Sequence, residues 1–394
     1  MTPLAIAEYS VVTALGAGRA ATLAALQAGR SGLAQQAFET AALDTWLGIV
    51  EGLDAVALPP ALAEFDCRNN RLAELALRSD GFGERVRAAA RRWGAARIGV
   101  FLGTSTSGIL STEVAYRQRD AGSGALPEGL HYAQTHNTYS VAGYVRAALA
   151  LAGPAFVIST ACSSSAKAFA SAARLIALGL IDAAVVGGVD SLCMTTLYGF
   201  KSLELLGSDI CRPWDAQRSG LSLGEGAAFA LLERDAQTPA AWLLGTGESS
   251  DAHHMSSPHP TGAGAAQAMR AALADAGLAP AAVDYLNLHG TGTPNNDAAE
   301  DLAVCAVFGD RLACSSTKGL TGHTLGAAGG VEAAIGLLAL QHSLVPGGAN
   351  VRQLDPGLHA HYACQPLSQP LSVVASNSFG FGGTNACLVL GAAT

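Results

Sequence analysis

An α/β fold made of two similar halves is predicted by three features of the chain. Strand-like runs such as Ile98–Leu102 and Ala183–Val186 alternate with alanine-rich helical runs from end to end. Half of the residues are hydrophobic, only 14% are charged and 46 are glycine, which suits helices packed on a sheet and joined by tight loops. One stretch also echoes another: Leu312–Lys318 leads through a glycine-rich loop to the apolar helix Val331–Leu340, as Val157–Leu178 does earlier. At 394 residues the chain exceeds the usual size of one core, and two like halves packed back to back account for that length without a linker. The seam is Arg234-Asp-Ala-Gln-Thr-Pro239, polar and closed by proline, which divides the chain into 1–236 and 237–394.

In chain order, Gly16-Ala-Gly18-Arg-Ala-Ala21 follows an apolar run, opens a helix and matches the dinucleotide fingerprint GxGxxA. A single match of this kind is a weak signal. Ile98–Leu102 is a strand followed by the hydroxyl-rich Gly103-Thr-Ser-Thr-Ser-Gly108, and Asp120–Gly129 reads as a surface loop. Next, an apolar run from Phe156 meets Thr-Ala-Cys162-Ser-Ser-Ser and then a helical pattern. A thiol so placed stands at a helix N-terminus, where N–H groups and the dipole favour the thiolate and small neighbours admit a substrate carbonyl. The helix has polar positions Lys167, Ser171 and Arg174 among mostly small or apolar residues, so it is expected to be buried nearly all round and ended by Gly179. Arg212-Pro-Trp-Asp215 reads as an ion-paired turn. The blocks Asn287–Asp297, Ser315–Gly329 and Asn377–Asn385 each set reactive polar groups in a glycine-rich loop at a predicted strand end, where α/β proteins build their sites.

A net charge of −8 without any basic run speaks against a nucleic-acid partner. The eight cysteines stand singly, with no CxxC or Cys/His metal spacing, so no metal is expected; Cys193, Cys211, Cys305, Cys314, Cys364 and Cys387 read as packing residues. Neither a signal-peptide pattern nor an apolar run of the roughly 18 residues that span a bilayer is found, and a reduced, cytoplasmic protein is expected.

Taken together, Thr-Ala-Cys162-Ser-Ser-Ser and the four blocks closely resemble the β-ketoacyl-acyl-carrier-protein synthases, the ketosynthase I/II branch of the condensing enzymes. The resemblance runs over nearly the whole chain. It implies a thiolase-like, five-layered α-β-α-β-α fold from two similar halves, with the Cys162 helix in the central layer. It implies a catalytic site of Cys162, His289 and His323 supported by Lys318, an oxyanion hole from the N–H groups of Phe381 and Cys162, and a gate containing Phe379 and Phe381. It further assigns Thr291 and Thr293 to the pantetheine arm and Glu300 to bracing the site. The implied reaction is ping-pong: Cys162 accepts an acyl chain, malonyl-carrier protein loses carbon dioxide, and the chain grows by two carbons. No cofactor is implied, the phosphopantetheine arm of acyl carrier protein being part of the substrate.

These residue types suit that chemistry. A thioester calls for a soft nucleophile, and the enolate left by decarboxylation calls for N–H donors, which two neutral imidazoles supply. The same family contains dimers, so a homodimer or a heterodimer with a chain-length-factor-like paralogue is expected. A non-catalytic chain-length partner lacks the nucleophile, and a thiolase-type acyl-CoA enzyme differs at the second histidine loop; Cys162, and His323 after Lys318, speak against these. An acidic carrier needs local cations, for which Arg68 and Arg71 stand first and Arg117 and Arg119 second. Thr106 is expected near the chain pocket, where a hydroxyl lining disfavours a plain saturated chain. The run of blocks also resembles ketosynthases of aryl polyene clusters, which extend unsaturated chains.

Overall fold

The protein is described by a computed structural model over residues 1–393. The first half supplies strands β1 (Leu4–Thr13), β2 (Ile98–Gly103), β3 (Ala155–Ile158), β4 (Ala183–Asp190) and β5 (Gly226–Glu233). The second supplies β6 (Ala241–Ser250), β7 (Tyr285–Asn287), β8 (Cys314–Ser315), β9 (Val373–Gly380) and β10 (Thr384–Ala392). The main helices are α1 (Arg19–Ala28), α2 (Arg68–Arg78), α3 (Phe82–Trp93), α4 (Ser140–Ala148), α5 (Ser164–Ala177), α6 (Met194–Ser202), α7 (Ala263–Ala276), α8 (Pro294–Phe308) and α9 (Ala328–His342).

The predicted repeat is present strand for strand. Within each half the strands lie in the order third, second, fourth, fifth, first. The third–second and second–fourth pairs are parallel and the other two antiparallel in both halves. β1 and β6 then pair through Leu4–Ile6 and Ala241–Leu243, so the two sheets meet along their first strands. The residues between β5 and β6 are those of the polar seam, where Arg234 pairs with Asp182.

Strand residues alternate between cores, which makes the layers. Along β4, Ala184 and Val186 enter the cluster between the sheets, while Ala183, Val185 and Val189 face the outer helices of the first half. Both faces are buried, as parallel strands require. The central cluster holds α5 and α9, which touch each other and strands of the sheets. A second core lies under α2, α3 and α4 and a third under α7 and α8, completing five layers.

Two sequence expectations are refined. Burial all round belongs to α9, whose residues 328–340 are all buried, rather than to α5, whose Lys167 and Arg174 reach Glu248 on β6. The GxGxxA match is a hairpin, Gly16–Ala17 pairing back on Val12–Thr13, and the N–H of Arg19 at the start of α1 already donates to the Asp80 carboxylate at 3.0 Å. That helix end therefore has its anion. Asp120–Gly129 lies at the surface as expected, and among the described residues no helix is long and apolar enough to cross a membrane.

Candidate active site

Cys162 follows the third strand of the first half, and His323 follows the third strand of the second, so the repeat brings the two strand ends together from opposite halves. Ala161 has a left-handed φ of 52°, and Ser164 Oγ accepts the Thr160 N–H at 2.9 Å, closing a turn that throws the sulfur off the strand. Helix α5 begins only at Ser164, with Ser163 at its cap, so Cys162 stands just ahead of the helix rather than in its first turn. The expected thiolate is corrected accordingly. Burial pushes the Cys162 thiol up to about 12, with the Lys318 charge and the Phe381 N–H pulling down less strongly.

The histidines are locked by contacts on their far sides. Nδ1 of His323 accepts the Leu325 N–H at 3.1 Å, which assigns the ring proton to Nε2, and Nε2 lies 3.1 Å from Cys162 Sγ. Nζ of Lys318 lies 3.4 Å from Nδ1 of His289, which assigns its proton to Nε2 as well. The Lys318 ammonium also pairs with buried Glu332. The imidazoles meet edge to face at 5.4 Å. Burial and the Lys318 charge hold both rings well below the ordinary histidine range, so both are neutral donors.

Glu300, to which the family resemblance gave a bracing role, lies buried on α8 beside this arrangement. Its carboxylate accepts the N–H groups of His289 at 2.8 Å and Gly290 at 2.7 Å, and the Asn377 side-chain amide at 3.1 Å. The His289 loop is thereby tied to β9 and the glycine-rich turn that follows it. At the end of β9 a Cβ on Gly380 would stand 2.7 Å from the Thr160 carbonyl and 3.2 Å from the Cys162 nitrogen, a proximity only glycine permits. Phe379 packs against His289 at 5.7 Å, and Phe381 against Phe200 at 5.6 Å.

One cleft is lined by Cys162, both histidines, Phe200, Phe379 and Phe381. Thr291 and Thr293 also line it and share a 2.8 Å hydroxyl contact. The ligating atoms of Cys162, His289 and His323 lie within 4.8 Å of one another, a spacing that could hold a metal ion. The His323 tautomer opposes this, because that ring turns an N–H and not a lone pair toward the sulfur. What the arrangement can do is accept an acyl group on sulfur and offer two N–H donors to an oxyanion beside it.

Two expectations fail. Thr106 does not line the cleft: its hydroxyl donates to buried Asp190 at 2.7 Å and its N–H at 2.8 Å, because that carboxylate outcompetes an apolar pocket for a hydroxyl. Arg68 is not a free cation, since it pairs with fully buried Glu225 and with Asp54 and its side chain is only 10% exposed. Arg71 is held two-pronged by Asp66 at 2.6 and 2.7 Å, and Arg117 pairs with Glu39 at 2.9 Å. Acidic neighbours close by in sequence or space have already neutralised these arginines. Residues the sequence reading passed over are Phe200, which carries no signal in sequence, and Glu332, whose signal is a lone charge in an otherwise apolar helix.

Known proteins match closely. The β-ketoacyl synthase N-terminal domain matches residues 70–238 and the β-ketoacyl synthase C-terminal domain residues 240–352. Nodulation protein E of Rhizobium meliloti (strain 1021) is 39% identical over 305 residues, 75% of either chain. The 3-oxoacyl-[acyl-carrier-protein] synthase 2 of Vibrio cholerae is 36% identical over 316 residues, 75% of this chain and 76% of that one. Among solved structures, a ketosynthase in complex with its chain length factor from Xenorhabdus doucetiae aligns with a TM-score of 0.89 at 39% identity, over 99% of this chain and 98% of that one.

Proposed function

The chain belongs to the β-ketoacyl synthase family, and we propose that it performs the family's condensation through Cys162, His289 and His323. The reaction is a decarboxylative Claisen condensation that lengthens an acyl chain by two carbons. The observation that carries the assignment of roles is the 3.1 Å contact of His323 Nε2 with Cys162 Sγ, in which the ring is the donor.

In the first half-reaction the Cys162 sulfur attacks the carrier's thioester carbonyl, a new C–S bond replaces the old one, and the thiol proton leaves on the pantetheine sulfur. The N–H groups of Phe381 and Cys162 hold the transient oxyanion, and Thr291 and Thr293 hold the arm. In the second, the malonyl C–C bond breaks, carbon dioxide leaves, and the enolate oxygen receives N–H bonds from His289 and His323. The carbanion then attacks the acyl carbon, the Cys162 C–S bond breaks, and the departing sulfur takes a proton from solvent water. This chain's residues need no cofactor for either step.

We further propose that the enzyme works beside a chain-length-factor-like paralogue and extends an unsaturated chain. Support comes from the solved relative, a ketosynthase in complex with its chain length factor. The edge of β3 adds to it: Phe156 there is 52% exposed and the strand's outer side is unpaired, a surface suited to a second sheet. For the acidic carrier, Lys201 is the better candidate than the paired arginines. It is exposed, follows cleft-lining Phe200 directly, and has no ion-pair partner among the described residues.

The test is intact-mass analysis of the native protein and Cys162→Ala after incubation with saturated and aryl-polyenoyl carrier proteins, with and without the paralogue. An acyl adduct only on the native protein, formed faster from the polyenoyl carrier, supports the reading. An adduct that persists on Cys162→Ala removes the nucleophile, and equal extension of saturated chains removes the polyene assignment.

A further inference from the structure

Asp190 ends β4 inside the molecule, fully buried and out of contact with the cleft, yet it gathers more polar hydrogens than any simple strand end requires. Its Oδ1 accepts the hydroxyls of Thr104 and Thr106 at 2.7 Å each and the N–H groups of Ser105 and Thr106 at 2.8 Å each. Its Oδ2 accepts the Ser105 N–H at 2.9 Å and, from the other half of the molecule, the Gly326 N–H at 2.5 Å. A Cβ on Gly326 would stand 2.7 Å from Oδ2, so the glycine is seated directly on the carboxylate.

The neighbour of Gly326 is Leu325, whose φ of 53° is a left-handed conformation that a leucine adopts only when its surroundings force it. The N–H of the same residue donates to Nδ1 of His323 at 3.1 Å. We propose that Asp190 is a positioning residue for the condensation: by anchoring Gly326 it holds Leu325 in its strained conformation and so keeps the His323 proton on Nε2, facing Cys162. The inference rests on the reading of His323 as an N–H donor to the enolate. Five of the six bonds fix the carboxylate from the loop after β2, and the sixth, from Oδ2 to the Gly326 N–H, reaches the His323 loop. The two halves of the fold are thus coupled at the histidine itself.

Asp190→Asn discriminates, because the amide oxygen can keep the four bonds of Oδ1 while an NH₂ group then confronts the Gly326 N–H. With ring-¹⁵N-labelled histidine, native His323 is expected to show the Nε2–H tautomer and the variant a mixture. Decarboxylation of malonyl-carrier protein should fall by about tenfold to hundredfold, up to the loss of one oxyanion donor, while acylation of Cys162 stays within about threefold on the same argument that it does not use this donor. Adding Leu325→Gly, which accepts a positive φ without strain, should restore much of the decarboxylation. Thr106→Val weakens the cradle from its far side and serves if Asp190→Asn does not fold; it should lower decarboxylation selectively and more mildly. An Nε2–H tautomer in native protein together with unchanged tautomer and decarboxylation in the variants overturns the proposal. So does an equal loss of both half-reactions without rescue by glycine. A native His323 that carries its proton on Nδ1 instead overturns the donor reading beneath it.

Discussion

Nζ of Lys318 stands 3.4 Å from Nδ1 of His289 and 2.5 Å from that residue's carbonyl oxygen, so one cation fixes both the ring and the backbone of the histidine opposite His323. Its third partner is Glu332, buried on α9. The cation therefore couples ring orientation to the central layer.

Lys318→Met should cost about 3–5 kcal/mol of stability, the usual result of leaving one member of a buried ion pair alone. Lys318→Met/Glu332→Leu should regain most of that stability in thermal melts. It should not regain decarboxylation, because His289 Nδ1 still lacks its donor. Activity recovering along with stability would show that Lys318 acts only on folding.

The thiol offers a separate check. With Cys162 held up to about 12 by burial, iodoacetamide alkylation of the free enzyme should keep rising through pH 9 without a thiolate plateau near neutrality. Lys318→Met removes the charge that pulls the thiol down, so alkylation at any fixed pH should become slower still. A plateau below pH 8 would place a thiolate in the resting enzyme.

The two-half fold was legible because repetition is a property of order: the run from Val157 through the helix recurs from Leu312, and strand-end loops mark where chemistry gathers. Cys162, His289, His323 and Lys318 were legible as blocks for the same reason, while Glu300 lies outside them and came only from the family resemblance. Thr106 was misjudged because its partner Asp190 lies 84 residues away in the chain and only the fold brings them together. The thiolate expectation left out burial, which raises the Cys162 thiol more than Lys318 and the Phe381 N–H lower it. Arg68, Arg71 and Arg117 are already paired, because charge read from sequence ignores the carboxylate beside each, whereas exposed Arg119 has no ion-pair partner among the described residues.

Arg68 illustrates the last point in energetic form. Its guanidinium is bound by Glu225, which is fully enclosed and also accepts the Val50 N–H at 2.9 Å. Arg68→Glu should lower the melting temperature sharply, by the equivalent of about 3–5 kcal/mol, through an uncompensated buried charge. In the fraction that folds, the Michaelis constants for carrier-bound and small thioester substrates should change together. Lys201→Glu should instead leave the melting temperature nearly unchanged and raise only the constant for the carrier-bound substrate.

The pH dependence of stability should reflect two opposed sets of buried groups. His289 and His323 are held neutral in the folded protein, well below their unfolded value near 6.5, so the unfolded chain binds more protons there. Their contribution is fully present above pH 6.5 and is lost as pH falls, by up to about 1.4 kcal/mol per pH unit for each ring. Glu300 and Glu332 act in the other direction. Both are raised by burial to about 7, so between the ordinary glutamate value and pH 7 the folded protein binds the extra proton and gains stability as pH falls. From these four groups alone, stability should be nearly flat between about pH 5 and 6.5, within the window their shifts define. Glu300→Gln removes one opposing carboxyl, so chemical melts of that variant should lose stability more steeply than the native protein as pH falls from 6.5 to 5. His289→Asn should show the reverse, gaining relative to native over the same interval. Parallel native and variant profiles would mean that these side chains titrate alike in both states, and would remove the neutral, buried histidines on which the donor geometry depends.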